Sequence, residues 1–240
     1  MTRRLTGVIL IMGFSLAMSS DAYAQLKDNL ELNLFGAGSW YSSNKYEVSF
    51  PQAVSPIQGE FKFNRGFKGG LRLGVFTRGH WSEEFYYSYE PQIAHFRRIS
   101  APSSSLDLDL QVHNYGISAL YYIHEDEAKK VRPFLSIGIG GTLYRLTPEA
   151  SAFVRDPLRG NVPDMDNSHE LGMNYGFGVK STRSAGWLGF RFDLRGFVGR
   201  HPSFGLARQS NDPNATVFPA TGVIHNGEAS AGLIFYFGKR

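Results

Sequence analysis

The chain has 240 residues, a net charge of +4, no cysteine, 27 glycines and 14% aromatic residues. Without cysteine, neither a disulfide framework nor a thiolate metal site can form. No run rich in lysine and arginine is present, so the charge pattern of a nucleic-acid-binding protein is missing. A mean hydropathy of −0.24, with no long apolar run after the amino terminus, argues against a transmembrane helix.

The amino-terminal segment has the pattern of a signal peptide. Two arginines supply the positive start, residues 5–18 are apolar, and Ala-Tyr-Ala at 22–24 forms a small-x-small cleavage site. The apolar stretch is too short to cross a bilayer as a helix. We therefore expect residues 1–24 to be removed during export, which leaves 25–240 as a single domain.

Eight segments then alternate apolar and polar side chains with a period of two, which is typical of strands whose two faces meet different environments. In chain order they cover residues 30–41, 61–76, 81–90, 106–123, 133–145, 169–180, 187–200 and 227–237. The fourth segment changes phase, because its apolar residues are even-numbered up to Val112 and odd-numbered from Tyr115. We predict a β-bulge near His113 and Asn114 at this change.

The connections between these segments alternate between two classes. Short ones fall near residues 77–80, 124–131 and 181–186, and long ones at 42–60, 91–104, 146–168 and 201–226. Short periplasmic turns and longer external loops are typical of a membrane barrel with an even number of strands. The sequence therefore predicts an all-β fold, an eight-stranded antiparallel up-and-down transmembrane β-barrel.

A water-soluble eight-stranded barrel is the alternative, since alternation does not say which face points inward. Seven glycines share the polar faces with charged residues: Gly66, Gly70, Gly74, Gly172, Gly176, Gly178 and Gly189. Glycine weakens an exposed strand, whereas it leaves room for long side chains in the narrow interior of an eight-stranded barrel. We therefore expect the polar faces to form the lumen and the apolar faces to contact lipid.

Four segments carry a family resemblance: GLRLGVF (70–76), RPFLSIGIGG (132–141), GFRFDLRGF (189–197) and the aromatic closing strand GLIFYF (232–237). With them, essentially the whole mature chain resembles the outer-membrane β-barrel domain family that includes the OmpA transmembrane domain and OmpX. The resemblance implies a bacterial outer-membrane location and contact with the barrel-assembly machinery during biogenesis. Family members commonly finish on the terminal aromatic that this machinery reads, whereas three residues follow Phe237 here. Because the chain ends with the barrel, we expect no tether to the cell wall.

The polar faces bring acidic and basic residues into the predicted lumen in nearly equal numbers. The candidates for lumen ion pairs are Lys68, Arg72, Glu84, Glu90, Asp107, Asp109, Glu170, Arg191, Asp193 and Arg195. An unpaired buried charge is costly, so we expect cross-strand ion pairs that plug the barrel. A narrow channel for ions or small solutes is the alternative, although rings of one charge sign are the usual selectivity device.

The sequence offers only weak catalytic combinations. Residues 168–170 (Ser-His-Glu) are consecutive, and neighbours on a strand point to opposite faces. His201 and Ser203 resemble the His-x-Ser pair of the outer-membrane lipid A deacylases, but residues 214–216 replace the acid expected about a dozen residues onward, and a base needs such an orienting carboxylate. We predict no enzyme, and a lipid A-modifying activity stays a second alternative.

Metal and cofactor binding have little support in the sequence. His124 and the three acidic residues after it form a turn with no independent ligand from another segment. An acidic turn of this kind is more often a solvated connection. We therefore predict no metal site and no cofactor.

The long loops are the expected place for contacts with partners, because binding residues concentrate on loops held by a rigid scaffold. Aromatic side chains and arginine can anchor a partner, and the candidates are Tyr46, Phe50, Phe204, Arg208 and Phe218. Equally, these side chains stiffen the loops or lie among lipopolysaccharide headgroups, an interpretation we place first. The sequence thus predicts a monomeric outer-membrane barrel, in contact with outer-membrane lipid and lipopolysaccharide, with a structural or surface-interaction role.

Overall fold

The computed structural model describes residues 30–48, 57–98, 105–124, 131–160, 162–181, 187–212, 217–218 and 222–237. The strands in this part of the chain are β1 (Leu30–Tyr41), β2 (Asn44–Val48), β3 (Ile57–Phe63), β4 (Gly66–Arg78), β5 (Trp81–Arg98), β6 (Ser105–Tyr122), β7 (Val131–Leu146), β8 (Ser168–Ser181), β9 (Leu188–Arg200) and β10 (Val223–Phe237). One helix, α1 (Pro148–Arg155), lies between β7 and β8. The predicted signal peptide, Phe50 and the residues after Phe237 lie outside the described residues. Within the described ranges, no helix has the length and apolar character needed to cross a membrane.

The strands close into a barrel in which every neighbouring pair is antiparallel. Around the barrel the order is β1, β4, β5, β6, β7, β8, β9 and β10, and β10 pairs back with β1 from Leu30↔Phe237 to Tyr41↔Asn226. The predicted eight-stranded antiparallel barrel is therefore confirmed. The additional strands β2 and β3 form a hairpin, and β3 pairs with the far end of β5.

The outer wall of the barrel is apolar over most of its height. Ile137, Ile139, Phe177, Phe190 and Phe192 all point outward and are between 55% and 60% exposed. The inward positions between them carry small or polar residues, so the alternation has the expected direction. Such a wall fits contact with acyl chains, whereas a water-soluble barrel would have its apolar faces inside.

The predicted bulge in β6 is absent. Its pairing with β5 runs without a register shift from Trp81↔Tyr121 to Arg97↔Ser105, and its pairing with β7 is equally regular. Even-numbered side chains point inward along the whole strand, and Leu108 and Leu110 are buried inside the barrel. The phase change therefore marks the height at which the interior turns from polar to apolar and the outer surface turns from apolar to polar.

The predicted second strand, residues 61–76, is in fact two strands. Asn64 and Arg65 separate β3 from β4, and the orientation of the side chains reverses there. Phe61 and Phe63 are buried inside the barrel, whereas Phe67 is 84% exposed on its outer wall. A single strand over 61–76 with its apolar face toward lipid would instead place all three residues on the outer wall.

The end of the barrel that carries the long connections, called here the loop end, is closed by an apolar cluster that we call the cap. Its buried members are Phe61, Phe63, Ala94, Phe96, Leu108, Leu110, Val112, Tyr144, Leu146, Ala150, Val154, Met165, Phe204, Leu206, Phe218 and Ile224. Strand β5 continues through residues 91–98, which were predicted as part of a long loop, and pairs there with residues 105–111 of β6, so both strands project into this region. The interior of the projecting section is thus a hydrophobic core.

Helix α1 was not predicted, although its start is visible in the sequence. The Thr147 hydroxyl accepts a hydrogen bond from the Ala150 backbone nitrogen at 3.2 Å, and Pro148 occupies the first turn, an arrangement typical of a helix start. Ala150 and Val154 point into the cap. The helix therefore covers one side of the loop end.

Candidate functional site: the filled lumen and the cap

Arg72 of β4 lies in the lumen and bonds to side chains of three other strands. Its guanidinium donates to Asp193 at 3.1 Å and to Glu228 at 2.7 Å, and it donates to Asn33 Oδ1 and Ser230 Oγ at 3.0 Å each. The alternation of β1, β4, β9 and β10 places these five side chains on the inner face. These four acceptors offset much of the guanidinium's loss of water, while its buried Nε has no hydrogen-bond partner among the described residues.

A second group of charges centres on Glu84 of β5. Its carboxylate accepts hydrogen bonds from Arg191 and from Arg195 Nη2, the latter at 2.6 Å. Arg191 Nε also donates to Asp193 Oδ2 at 2.9 Å. All four side chains are buried, and Asp193 links this group to Arg72.

Glu90 marks the boundary between the polar lumen and the cap. Tyr41 donates to its carboxylate at 2.7 Å, Ser39 donates as well, and Lys68 Nζ lies 3.6 Å away. Lys68 Nζ also lies 3.4 Å from Glu228. The ring of Phe63 lies directly beyond, 4.8 Å from the ring of Tyr41, so the ionic network ends where the apolar cluster begins.

At the end with the short connections, called the turn end, a further ion pair and an arginine fill the lumen. Lys180 Nζ donates to Glu31 at 2.7 Å. Arg132 donates to the backbone carbonyls of Gly79 and His124 and lies 4.1 Å from the centre of the Tyr122 ring. The described turns are thus held to the barrel from inside.

Acidic and basic groups balance in the ion-pair network of the described residues. The acids are Glu31, Glu84, Glu90, Asp193 and Glu228, and the bases with which they pair are Lys68, Arg72, Lys180, Arg191 and Arg195. Balanced pairs packed against one another fill space, whereas a ring of one sign would attract counter-ions into a pore. Chemically, the arrangement is suited to holding the barrel shut.

The structure brings together seven of the ten lumen residues chosen from the sequence: Lys68, Arg72, Glu84, Glu90, Arg191, Asp193 and Arg195. Asp107 and Asp109 are wrong as lumen residues, since both are exposed on the outer face of β6, where Asp107 Oδ1 lies 2.6 Å from His95 Nδ1. Their misplacement follows from the absent bulge. Glu170 points inward at the loop end, and it pairs with Arg208 at 3.2 Å rather than with a base on another strand.

Sequence reasoning overlooked several polar partners of the network. Asn33, Ser39, Tyr41 and Ser230 lie on inward positions of β1 and β10 and bond to its charged groups. Their position in the alternation was the available signal, because every second residue of these strands faces the lumen. The ionic plug therefore includes uncharged side chains as well as charged ones.

The loop aromatics predicted as contact points belong largely to the cap. Phe204 and Phe218 are buried, so they are wrong as residues available to a partner. Their burial follows from the apolar interior of the projecting section, which must be covered from above. Arg208 donates to Glu170 and to the His201 carbonyl and so fastens the last loop to β8. Tyr46 lies in β2.

His201 and Ser203 do not form a nucleophile and base pair in the structure. The buried His201 ring donates from Nδ1 to the Pro202 carbonyl at 2.9 Å, and Nε2 has no hydrogen-bond partner among the described residues. Burial, helped by the positive charge of Arg208, lowers the pKa of His201 to about 4. The backbone nitrogen of Ser203 donates to Ser168 Oγ. The ring therefore acts as a packing element of the cap, 4.7 Å from Phe61.

Closed topology, an apolar outer wall and a polar filled lumen define an eight-stranded β-barrel of the outer-membrane type. Neither a protein-family model nor a curated protein sequence matches the chain. Among solved structures, the chain is similar to the outer-membrane protein OprG of Pseudomonas aeruginosa, with a TM-score of 0.55, 12% identity and coverage of 89% of this chain and 98% of that one. It is also similar to Neisserial surface protein A, with a TM-score of 0.45, 15% identity and coverage of 87% and 97%. At 12% identity, the likeness to OprG shows the fold alone.

An apolar outer band around a polar, filled lumen is the arrangement found in outer-membrane barrels. In such barrels the short turns are periplasmic and the longer loops are extracellular. The turn end would accordingly face the periplasm, and the capped loop end would face the cell exterior.

Proposed function

We propose that this protein is a non-conducting outer-membrane barrel whose projecting loop end is a rigid surface for contacts outside the cell. One observation carries the proposal: above the lipid-facing wall, the barrel exchanges its polar lumen for the cap and its apolar outer wall for a polar one. A barrel that only needed to seal the membrane could end at the headgroups. The projecting section, held by its own core, favours a role beyond the membrane surface.

The filled lumen supports a closed barrel. An ion would have to pass the apolar cap and then separate buried pairs such as Lys180–Glu31 and Arg195–Glu84, each within 2.7 Å. Breaking one buried pair costs about 3–5 kcal/mol. No specific observation favours the narrow channel as a second candidate, and the geometry of His201 gives no support to a lipid A-modifying enzyme.

The contact surface would be the outer face of the projecting strands. Lys62, Arg97, Asp107 and Asp109 all point outward there and are exposed. They belong to β3, β5 and β6, which are neighbours in the sheet. Charges of both signs on a rigid β-sheet suit electrostatic recognition of a partner. We therefore expect these strand residues, rather than the loop aromatics, to contact a partner.

Two measurements test the proposal. The purified barrel in planar lipid bilayers should give no reproducible unitary current steps, and such steps would contradict a closed lumen. Cells that express the Lys62→Glu/Arg97→Glu variant should attach less to a partner surface than cells with the wild type. Glu83→Lys is the control, because Glu83 is exposed at the turn end. Equal attachment of wild type and double variant would contradict the surface role.

A separate measurement tests the structural role. Deletion of the whole barrel should increase the permeability of the envelope to large antibiotics, whereas the charge-reversed variant should leave it unchanged because its barrel remains intact. Loss of the barrier in the variant would mean that the projecting surface does not act separately from the membrane-spanning part.

A further inference from the structure

The lipid-facing wall carries an upper depression near the loop end, with a volume of about 480 Å³. Trp40 of β1 and Tyr175 of β8 frame it and are about half exposed. Their rings lie over the floor glycines: a Cβ on Gly227 would meet Trp40 at 2.1 Å, and a Cβ on Gly196 would meet Tyr175 at 2.5 Å. The depression is therefore built by two aromatic side chains that lean over glycines of the intervening strands.

A second depression of about 720 Å³ lies further from the loop end on the same side of the barrel. Small outward residues of β1 and β10 form its floor, paired as Gly36↔Ala231 and Gly38↔Ala229. Its walls are larger outward side chains: Phe67, Phe177, Val179, Phe192 and Leu194. A strand glycine is costly without a reason, yet a Cβ on Gly36 or Gly38 would meet no protein atom within 4 Å. No neighbour inside the described structure requires glycine at these two positions.

The two depressions adjoin each other at the cross-strand pair Phe177↔Leu194, which lines both. We call the two together the wall furrow. The floor follows β10 from Gly227 to Ala231, which corresponds to about 14 Å along the strand. The wall furrow therefore runs along the strands, in the general direction in which acyl chains cross a leaflet.

Basic groups stand at the loop end of the wall furrow. His225 is exposed and lies two residues beyond Gly227 on β10, and it lines the upper depression. Arg200 is exposed on β9 and pairs with Val223, one outward position further along β10. An arginine and a histidine in this position complement an anionic headgroup, because arginine binds phosphate through two parallel hydrogen bonds.

We propose that the wall furrow is a binding site for lipid A, with one acyl chain along Gly36, Gly38, Ala229 and Ala231 and a phosphate at Arg200. The furrow lies inside the apolar wall that meets the membrane, so its occupant is a membrane component. Its basic end faces the outer leaflet, where lipopolysaccharide is the phosphorylated lipid. The glycines serve this contact by leaving the floor low enough for a chain to lie between the aromatic walls.

The test replaces small floor residues of the wall furrow by leucine and measures how much lipid A the barrel retains. The folded full-length barrel is mixed with hexa-acylated lipid A in detergent and analysed by native mass spectrometry. The wild type should retain one lipid A per barrel, and Gly38→Leu/Ala229→Leu should weaken this retention at least tenfold. Ala119→Leu is the matched control, since Ala119 is a small outward residue of β6 that lines neither depression. Migration on a cold gel verifies that each variant is folded.

Retention in the filled variant equal to that of the wild type would overturn the proposal, as would an equal loss in Ala119→Leu. A dimer in the wild type that disappears in the filled variant would assign the furrow to a second copy and would also overturn it.

Headgroup variants separate lipid A from other lipids. Arg200→Gln should lose retention of lipid A but not of its dephosphorylated form. Arg65 is an exposed arginine outside the furrow, so Arg65→Gln should retain both lipids like the wild type. Phosphatidylglycerol should be retained at least tenfold more weakly than lipid A. Equal retention of phosphatidylglycerol, or an unchanged Arg200→Gln variant, would contradict the assignment to lipid A. None of these measurements depends on conductance or cell attachment, so the site and the proposed function can fail separately.

Discussion

Replacing Glu84 by glutamine removes the carboxylate that faces three arginines in the lumen. Glu84 accepts from Arg191 and from Arg195 at 2.6 Å, and Arg72 Nε lies 3.9 Å away. Loss of one partner from a buried ion pair costs about 3–5 kcal/mol. Glutamine keeps one acceptor oxygen of similar shape, so we expect a loss of about 3 kcal/mol in the free energy of unfolding. This loss corresponds to a decrease of about a hundredfold in the folding equilibrium constant.

The assay is reversible urea unfolding of the barrel in lipid vesicles, followed by tryptophan fluorescence. Glu83→Gln is the matched control, since Glu83 is the preceding residue of β5 and is exposed on the outer face. We expect the control to change the unfolding free energy by less than about 0.5 kcal/mol, as an exposed substitution usually does. If Glu84→Gln lost less than about 1 kcal/mol, or no more than Glu83→Gln, the lumen network would not stabilise the barrel as described.

Three further predictions concern the cap. Phe61→Ala should lower the unfolding free energy by about 3–5 kcal/mol, the usual range for a buried phenylalanine, whereas Lys62→Ala on the polar outer face of the same strand should change it by less than about 0.5 kcal/mol in the same urea assay; equal losses would contradict the assigned faces. The native pKa of His201, about 4, is below the ordinary value of about 6.5, so the cap should lose up to about 3 kcal/mol as the pH falls from 6.5 to 4. Proteolysis of the last loop should accelerate over this window, and a His201→Phe variant that kept the same acceleration would refute the cause. Thr147→Ala should weaken the start of α1 by about 1 kcal/mol, visible as faster amide exchange at Ala150, and unchanged exchange would count against the cap hydrogen bond.

The membrane-spanning strands could be predicted because one rule holds along their whole length. In β1, β8 and β9 the two faces meet lipid and a polar lumen, so alternation alone gives the element and its faces. Above the membrane the rule inverts, and the apolar Leu108 then shares the inner face with the polar Asn114 of the same strand. A single sequence shows the change of pattern but does not distinguish a bulge from a change of environment. The predicted bulge is wrong for this reason.

The partners inside the lumen were beyond the reach of the sequence for a different reason. Alternation assigns Glu84 and Arg195 to the inner face, but they are 111 residues apart and meet only across the lumen. Their meeting depends on strand tilt and stagger, which fix the height of each residue in the closed barrel. The prediction that Phe204 and Phe218 contact a partner is wrong for a similar reason. The composition of a loop does not distinguish an aromatic side chain that binds a partner from one that covers a hydrophobic core.

The regular β5–β6 hairpin has a consequence for adaptation to different bilayers. Its backbone pairing continues unchanged across the plane where lipid gives way to water. The hydrophobic thickness of the protein is therefore determined only by its outward side chains. Replacing a few outward residues such as Gln111 by apolar ones would extend the lipid-facing apolar band by one residue pair along the strands. The backbone hydrogen bonds would not change. Homologous barrels could therefore track thicker or thinner membranes, and relieve mismatch, by changes confined to their surface.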